Sequence, residues 1–254
     1  MEKEICIKKG WLLIPVCAAY GELPFGGAKN NRMLEIFCRE KNGETKLFEF
    51  QIPAGQTEDE TYPVSYYARF PVKQFTDKTL ILRGDLGRAF FDGIRNEDVP
   101  AAEKKYFCNG QGEAFRRPSI HFTPQTGWMN DPNGLCEFQG VNHIYFQYTP
   151  FLAGWGTKLW GHYTTKDWIH YKEEEPFLYP DEEWDRDGVY SGSAYTCEDG
   201  IHYFYTGNVK LWDKDYDYIM NGREQNTIHV FSPDGKNIAY KKLVMTNDDY
   251  PVNM

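Results

Sequence analysis

The chain of 254 residues is long enough for one large or two modest domains, and its 41% hydrophobic content supports a packed core. A formal net charge of −9, with no basic run, argues against a nucleic-acid partner and favours a neutral or weakly charged small substrate. Aromatic residues make up 17% of the chain, which suits half-buried strands first and stacking on sugar faces second.

At the start, Lys8 and Lys9 precede the apolar run Trp11 to Ala19, a superficial likeness to a signal peptide. Glu2 and Glu4 spoil the basic region and Pro15 interrupts the apolar one, so a first β-strand is expected instead. No apolar stretch reaches the length needed to span a bilayer, and no membrane partner is expected. Further on, short strands are expected at Trp11 to Ala18, Met33 to Cys38, Thr45 to Ile52, Ser65 to Pro71 and Thr79 to Leu82. Turn chemistry separates them at Gly26-Gly27, Lys41-Asn42-Gly43-Glu44 and the polar stretch Pro53 to Glu60. The expected architecture is all-β, with residues 1–112 forming a β-sandwich that carries no cluster of catalytic-looking groups. A polar, Gly-containing linker from Glu103 to Arg117 leads into a second region, residues 113–254.

Cys6, Cys17, Cys38, Cys108, Cys136 and Cys197 are scattered, without a Cys-x-x-Cys pair or a His at zinc spacing. Neither a metal site nor a redox motif is indicated. Free, mostly buried thiols in a reducing cytosol are expected, because a chain of this size does not need disulfides to compensate for a small core.

The second region opens on Trp128-Met129-Asn130-Asp131-Pro132-Asn133-Gly134. Taken alone, Asp-Pro-Asn-Gly is a good turn, since Pro fixes φ and Asn and Gly tolerate left-handed backbone. A weak internal repeat follows. Gly140 to Phe146 is like Gly200 to Tyr205, and each is followed by a second strand, His162 to Asp167 or His229 to Asp234, and then a Tyr-Lys pair. Repeats built from successive antiparallel strands suggest β-propeller blades. Glu173-Glu174-Glu175 reads as a solvated loop, and Asp185 and Asp187 as residues shaping the turn before Tyr190.

After the opening run come Phe146-Gln147-Tyr148, Trp155-Gly156, Trp160-Gly161-His162, Ser191-Gly192-Ser193-Ala194 and Thr206-Gly207-Asn208. In this order and spacing they resemble the invertase and fructosidase family, glycoside hydrolase family thirty-two, from about Ser119 to the last residue. The resemblance implies a five-bladed propeller, of which this chain would supply about two blades. It implies Asp131 as the nucleophile that attacks the anomeric carbon of a fructosyl unit. Asn130 and Gln147 match positions that hydrogen-bond sugar hydroxyls, Trp155 matches an aromatic lining the pocket, and Ser191 matches a polar residue of the same subsite. Tyr190 stands where the family usually has Phe, and Trp160 is assigned to substrate binding, with strand packing as its other reading. No cofactor is implied, because two carboxyl groups and positioned hydrogen bonds suffice for this chemistry.

Family members also carry an Arg-Asp-Pro triplet, whose Asp stabilises the transition state, and a later Glu-Cys pair supplying the acid/base. Neither occurs in these residues: Arg186-Asp187 is followed by Gly188 and precedes the Ser-Gly-Ser run. The tail from Met245 to Met254 looks like the segment that leads into the triplet in bacterial sucrose-hydrolysing members. The expectation is therefore the N-terminal part of a cytoplasmic, retaining β-fructosidase acting on sucrose or short fructans, with little hydrolysis of its own. A non-catalytic carbohydrate-binding protein and a related fructosyltransferase are the alternatives. Thr206 to Lys210 lean towards sucrose or sucrose-6-phosphate hydrolases, while the N-terminal extension resembles levanase-like members.

Overall fold

The computed structural model describes residues 1–17, 31–54, 61–98, 122–152, 154–216 and 221–249. The Gly26-Gly27 turn, the linker from Glu103 to Arg117, the expected boundary at 112/113 and the last five residues lie outside them. Among the described residues the protein is all-β apart from one short α-helix and two 3-10 turns, and the chain divides into two compact units.

The first unit comprises Met1–Trp128 with Thr149–Thr157. Its strands are β1 (Glu2–Cys6), β2 (Trp11–Val16), β3 (Asn31–Glu40), β4 (Gly43–Pro53), β5 (Tyr66–Pro71), β6 (Thr79–Gly84) and β7 (Arg95–Glu97), with α1 (Arg88–Gly93) between the last two. They form a four-stranded sheet in the order β1-β6-β3-β4 and a three-stranded sheet in the order β5-β2-β7. Alternation explains the buried faces: Leu34, Ile36 and Cys38 of β3 are buried while their neighbours are not. Phe48 and Phe50 of β4 meet Phe70 of β5 with ring centroids 4.8 and 4.9 Å apart. Pro15 lies in the middle strand of the smaller sheet, where a missing N–H should be costly. It is tolerated because, among the described residues, β7 pairs only with Trp11, Leu12 and Leu13, which leaves that side of β2 without a ladder partner at Pro15. All five expected strands are found: β3, β4 and β6 run beyond the expected ends, whereas β5 begins one residue later and β2 ends at Val16, with Ala18 outside the described residues. The expectation missed β1, α1 and β7, which are too short for periodicity to reveal.

The second unit comprises Met129–Tyr148 and Lys158–Met254. Here β8 (Trp128–Phe138), β9 (Val141–Thr149), β10 (Leu159–Thr165) and β11 (Tyr171–Glu173) form one four-stranded sheet. A second sheet is made of β12 (Gly188–Thr196), β13 (Ile201–Lys210), β14 (Arg223–Ser232) and β15 (Tyr240–Met245). In both, sequential strands are spatial neighbours, the meander of a propeller blade. The sequence repeat falls on corresponding strands, β9-β10-β11 and β13-β14-β15, with Gly140 and Gly200 at the entering turns, both at positive φ. Between the sheets lies an aromatic core in which Trp160, Tyr145 and Tyr203 are each 0% exposed. The Tyr145 and Tyr203 hydroxyls are 2.6 Å apart, and Tyr145 donates to the Gly235 carbonyl at 2.8 Å. Glu174 is not the solvated residue expected. Burial pushes its carboxyl up, but hydrogen bonds from Lys172, Lys236 and Thr164 outweigh this and hold it at about 2.

Among the described residues no helix is long and apolar enough to cross a membrane. Of the five described cysteines only Cys17 and Cys38 are buried, so the expectation of mostly buried thiols is corrected. Cys6 and Cys197 lie near strand ends, where the sheet gives them little cover.

One buried pair makes stability depend on pH. His143 Nδ1 and His162 Nε2 are 3.0 Å apart, and both residues are almost fully enclosed. Burial pushes the His143 imidazole below its usual 6.5, with Lys236 acting the same way and Asp234 and Glu174 opposing. The unfolded chain therefore takes up this proton at a higher pH than the folded one. The stabilisation is complete above the unfolded value of 6.5 and is lost as pH falls towards the lower folded value. The urea midpoint should drop between roughly pH 7.5 and 5.5, and His143→Asn should flatten that drop. An unchanged profile in the variant would assign the effect elsewhere.

Candidate active site

Asp131 lies exposed within β8, an edge strand of the first sheet of its unit. The Asp-Pro-Asn-Gly run, read above as a turn, is thus part of an extended strand. An edge accommodates Pro132, which has no N–H to donate to a ladder. The deviation is at Gly134, whose φ is +51°. A Cβ there would also come within 2.9 Å of Trp160 Cζ3, so both backbone conformation and space require glycine.

Asn133 connects this strand to the next sheet. It is 4% exposed; its Nδ2 donates to the Asp131 carbonyl at 3.0 Å, and its Oδ1 accepts the Gly192 N–H at 3.1 Å. One amide therefore fixes the backbone of Asp131 against the Ser191-Gly192-Ser193 segment. On that side the β12–β13 register shifts between Val189 and Gly192, a β-bulge containing Tyr190 and Ser191. Bulges re-aim side chains and commonly border sites. The Tyr190 carbonyl accepts the Trp160 indole N–H at 3.0 Å, and the Val189 N–H bonds the Lys158 carbonyl at 2.8 Å.

Trp160 was read from sequence as a substrate residue, and the structure places it in the core at 0% exposure. Its connection to the site is the indole bond to Tyr190. The neighbouring residues of its run are also packed: a Cβ on Gly161 would lie 2.2 Å from Phe146 Cζ, and His162 is 2% exposed. Gln147 is the register partner of Trp160 and is 3% exposed. Neither its Nε2 nor its Oε1 has a hydrogen-bond partner among the described residues. Leaving a buried amide unsatisfied at both ends costs free energy that a ligand with hydroxyl groups would recover.

Lys158 adds a charge that the sequence reading missed. It is 5% exposed; burial pushes its ammonium down to about 8, with Asp131 acting against that shift and Arg223 adding to it. At neutral pH most of this lysine is still charged, and it gives Asp131 a nearby countercharge. Tyr190 is raised by burial, with Arg223 and Lys210 pulling it down and Asp187 pushing it up. Below the bulge, Asp185 Oδ1 accepts the Glu182 N–H at 3.0 Å and Asp187 Oδ2 accepts the Lys210 N–H at 2.6 Å, so both carboxylates shape the turn before Tyr190.

The structure thus connects Asp131, Gln147, Trp160, Tyr190 and Ser191 through hydrogen bonds, ladder pairs and chain neighbours, with partly buried Asn130 adjoining Asp131. Trp155 belongs to the first unit, where it is 50% exposed and its ring lies 5.4 Å from that of Trp128. Asn133 and Lys158 are the two residues added by the structure. An Asn two positions after Asp131 is a sequence signal for a local side-chain bond, but its partner 59 residues away is not.

Residues 121–251 match the family model for the glycosyl hydrolases family 32 N-terminal domain. The chain is 42% identical over 128 residues to the sucrose-6-phosphate hydrolase of Bacillus subtilis (strain 168), covering 50% of this chain and 25% of that protein. It is 35% identical over 136 residues to the levanase of the same strain, covering 54% of this chain and 19% of the levanase. The solved sucrose-6-phosphate hydrolase of Lactobacillus gasseri is similar at 31% identity and a TM-score of 0.42, over 47% of this chain and 23% of that one. The chain spans a quarter or less of the length of these relatives. With the family model covering more than half of its residues, the chain belongs to the glycosyl hydrolases of family 32, as their N-terminal domain.

Proposed function

We propose that this chain supplies the fructosyl-binding, nucleophile-bearing part of a retaining β-fructosidase acting on sucrose or short fructans in the cytoplasm. Asp131 attacks the anomeric carbon; Asn130, Gln147 and Ser191 bind sugar hydroxyls; Tyr190 lines the pocket. Trp160 and Asn133 act as positioning residues, holding the Tyr190 carbonyl and the Asp131 backbone. On this reading the sheets of the second unit are the first two blades of a five-bladed propeller, and residues 1–112 are a β-sandwich. Retention requires a second carboxyl about 5 to 5.5 Å from the nucleophile, and the Glu-Cys pair that would bring it is not in these residues.

The observation that carries the reading is the buried Gln147 amide, unpartnered at both ends among the described residues and paired in register with Trp160, whose indole holds the Tyr190 carbonyl. Calorimetric titration of fructose and sucrose into the chain tests it. Saturable binding is expected, weakened about tenfold or more in Gln147→Leu, because two hydrogen bonds worth about 0.5–1.5 kcal/mol each are removed. A folded chain with no saturable binding, or a variant that binds as well as the parent, would overturn it. Binding without any Asp131-dependent chemistry in a longer form would favour a carbohydrate-binding protein. Longer fructans among the products would favour a transferase.

A further inference from the structure

Away from the site just described, the hairpin joining β12 to β13 carries Cys197-Glu198-Asp199-Gly200-Ile201-His202. The Cys197 N–H donates to the Gly200 carbonyl at 2.8 Å and closes the turn. Gly200 sits at φ +154°, where a Cβ would lie 2.5 Å from the Ser232 carbonyl oxygen, so this tight turn needs its glycine. The result is that a Cys197 sulfur, an Asp199 carboxylate oxygen and a His202 ring nitrogen all lie within 4.8 Å of one another. Cys197 is unpaired and partly exposed, so the cluster can be reached from solvent.

A second, independent feature fixes the imidazole. His202 Nδ1 shares a hydrogen bond of 2.9 Å with His229 Nε2 on β14. The two rings stack with centroids 5.1 Å apart, and Phe231 and Phe204 pack against them at 4.9 and 4.7 Å. With Nδ1 occupied by a neighbouring ring, Nε2 is the nitrogen left for a ligand, which is the usual division between a metal ligand and its orienting partner.

We propose that Cys197, Asp199 and His202 form a divalent transition-metal site suited to zinc, with His229 as the orienting residue and a fourth position open to water. The donor set decides the metal. A thiolate and an imidazole exclude the hard cations that prefer all-oxygen sites, whereas zinc accepts sulfur, nitrogen and oxygen together. Tetrahedral zinc at its usual bond lengths spaces its donors roughly 3.3–3.8 Å apart. Small side-chain rotations on an already closed turn would bring the three atoms to that spacing. Binding displaces the thiol proton into solvent, so affinity rises with pH. Sequence inspection for paired cysteines or a Cys–His zinc spacing passes over this pattern, because the hairpin rather than the spacing brings the ligands together.

Cobalt(II) titrated into the reduced, purified chain is the test, since its visible bands report tetrahedral coordination and its near-ultraviolet band reports a thiolate ligand. One equivalent should bind with both signatures, and zinc should displace it. Cys197→Ser should abolish the thiolate band while circular dichroism stays unchanged, and His202→Ala should abolish tight binding. His229→Ala should weaken affinity about 10- to 100-fold, as expected of an orienting partner rather than a ligand. The proposal is overturned if no thiolate band forms, if the band survives in Cys197→Ser because another cysteine supplies it, or if His229→Ala binds cobalt as well as the parent.

Discussion

Incubated with sucrose, the 254-residue chain is expected to release fructose at least 10²- to 10⁴-fold more slowly than an intact β-fructosidase, the usual worth of a general acid of about that magnitude. A carboxylate nucleophile can approach the anomeric carbon without help, but the leaving glucosyl oxygen must be protonated as the bond breaks. On the proposed reading that proton comes from the Glu of a Glu-Cys pair, and these residues contain neither such a pair nor an Arg-Asp-Pro triplet. Fusing the chain to the remainder of the Bacillus subtilis sucrose-6-phosphate hydrolase should raise the rate. In that fusion Asp131→Asn should lower kcat by on the order of 10⁴-fold or more. Asn keeps the shape of Asp131 and removes only its nucleophilic oxygen, so the fold is preserved. Two results would sink the proposal: turnover by the unfused chain comparable with an intact enzyme, or a fusion indifferent to Asp131→Asn.

The second large effect concerns stability. Asp185 is fully buried, and its Oδ2 accepts hydrogen bonds from Lys241 Nζ at 2.6 Å and the Tyr205 hydroxyl at 2.6 Å. Lys241 is itself enclosed and donates further to Asp181 Oδ1 at 2.6 Å and the Tyr179 carbonyl at 2.9 Å. Asp185→Ala would leave a buried ammonium with only one, partly exposed carboxylate, which costs about 3–5 kcal/mol. That is a large share of the ~5–15 kcal/mol by which a folded domain is stable. Because the penalty comes from the stranded charge, Asp185→Ala combined with Lys241→Met should recover most of it. Urea unfolding of both variants decides the matter: equal losses in the single and double variants would show that Asp185 acts through the turn it caps and not through the ion pair.

Strands were legible where one face is buried and the other is not. Met33 to Cys38 alternates between buried and half-buried positions, Phe48, Phe50 and Ile52 mark the apolar face of Thr45 to Ile52, and the structure extends both strands. The repeat was legible for the same reason, since the two sheets of the second unit use one strand plan twice. What escaped depends on contacts distant in sequence. Nothing near Asn133 announces that its amide reaches Gly192, and nothing near Lys158 announces burial beside Asp131. The bulge at Tyr190 and Ser191 is equally silent, because a register shift is a property of two strands. Trp160 shows the opposite failure. Its residue type suggests a sugar platform, while its place on a strand buried on both faces puts it in the core.

The path of the chain between its two units constrains how this protein can be dissected. The segment Thr149–Thr157 lies within the stretch that matches the family model, yet it belongs to the first unit. There the Tyr66 hydroxyl holds the Pro150 carbonyl at 2.9 Å, Phe151 stacks on Phe50 at 4.3 Å, and Thr157 Oγ1 donates to the Glu49 carbonyl at 3.2 Å. Cutting away the first hundred or so residues would strip Phe50 from Phe151, now 1% exposed, and leave a greasy loop prone to association. The family-matched segment is therefore a unit of inheritance without being a unit that can be excised at a single point, and N-terminal trimming is a poor route to a minimal, soluble form.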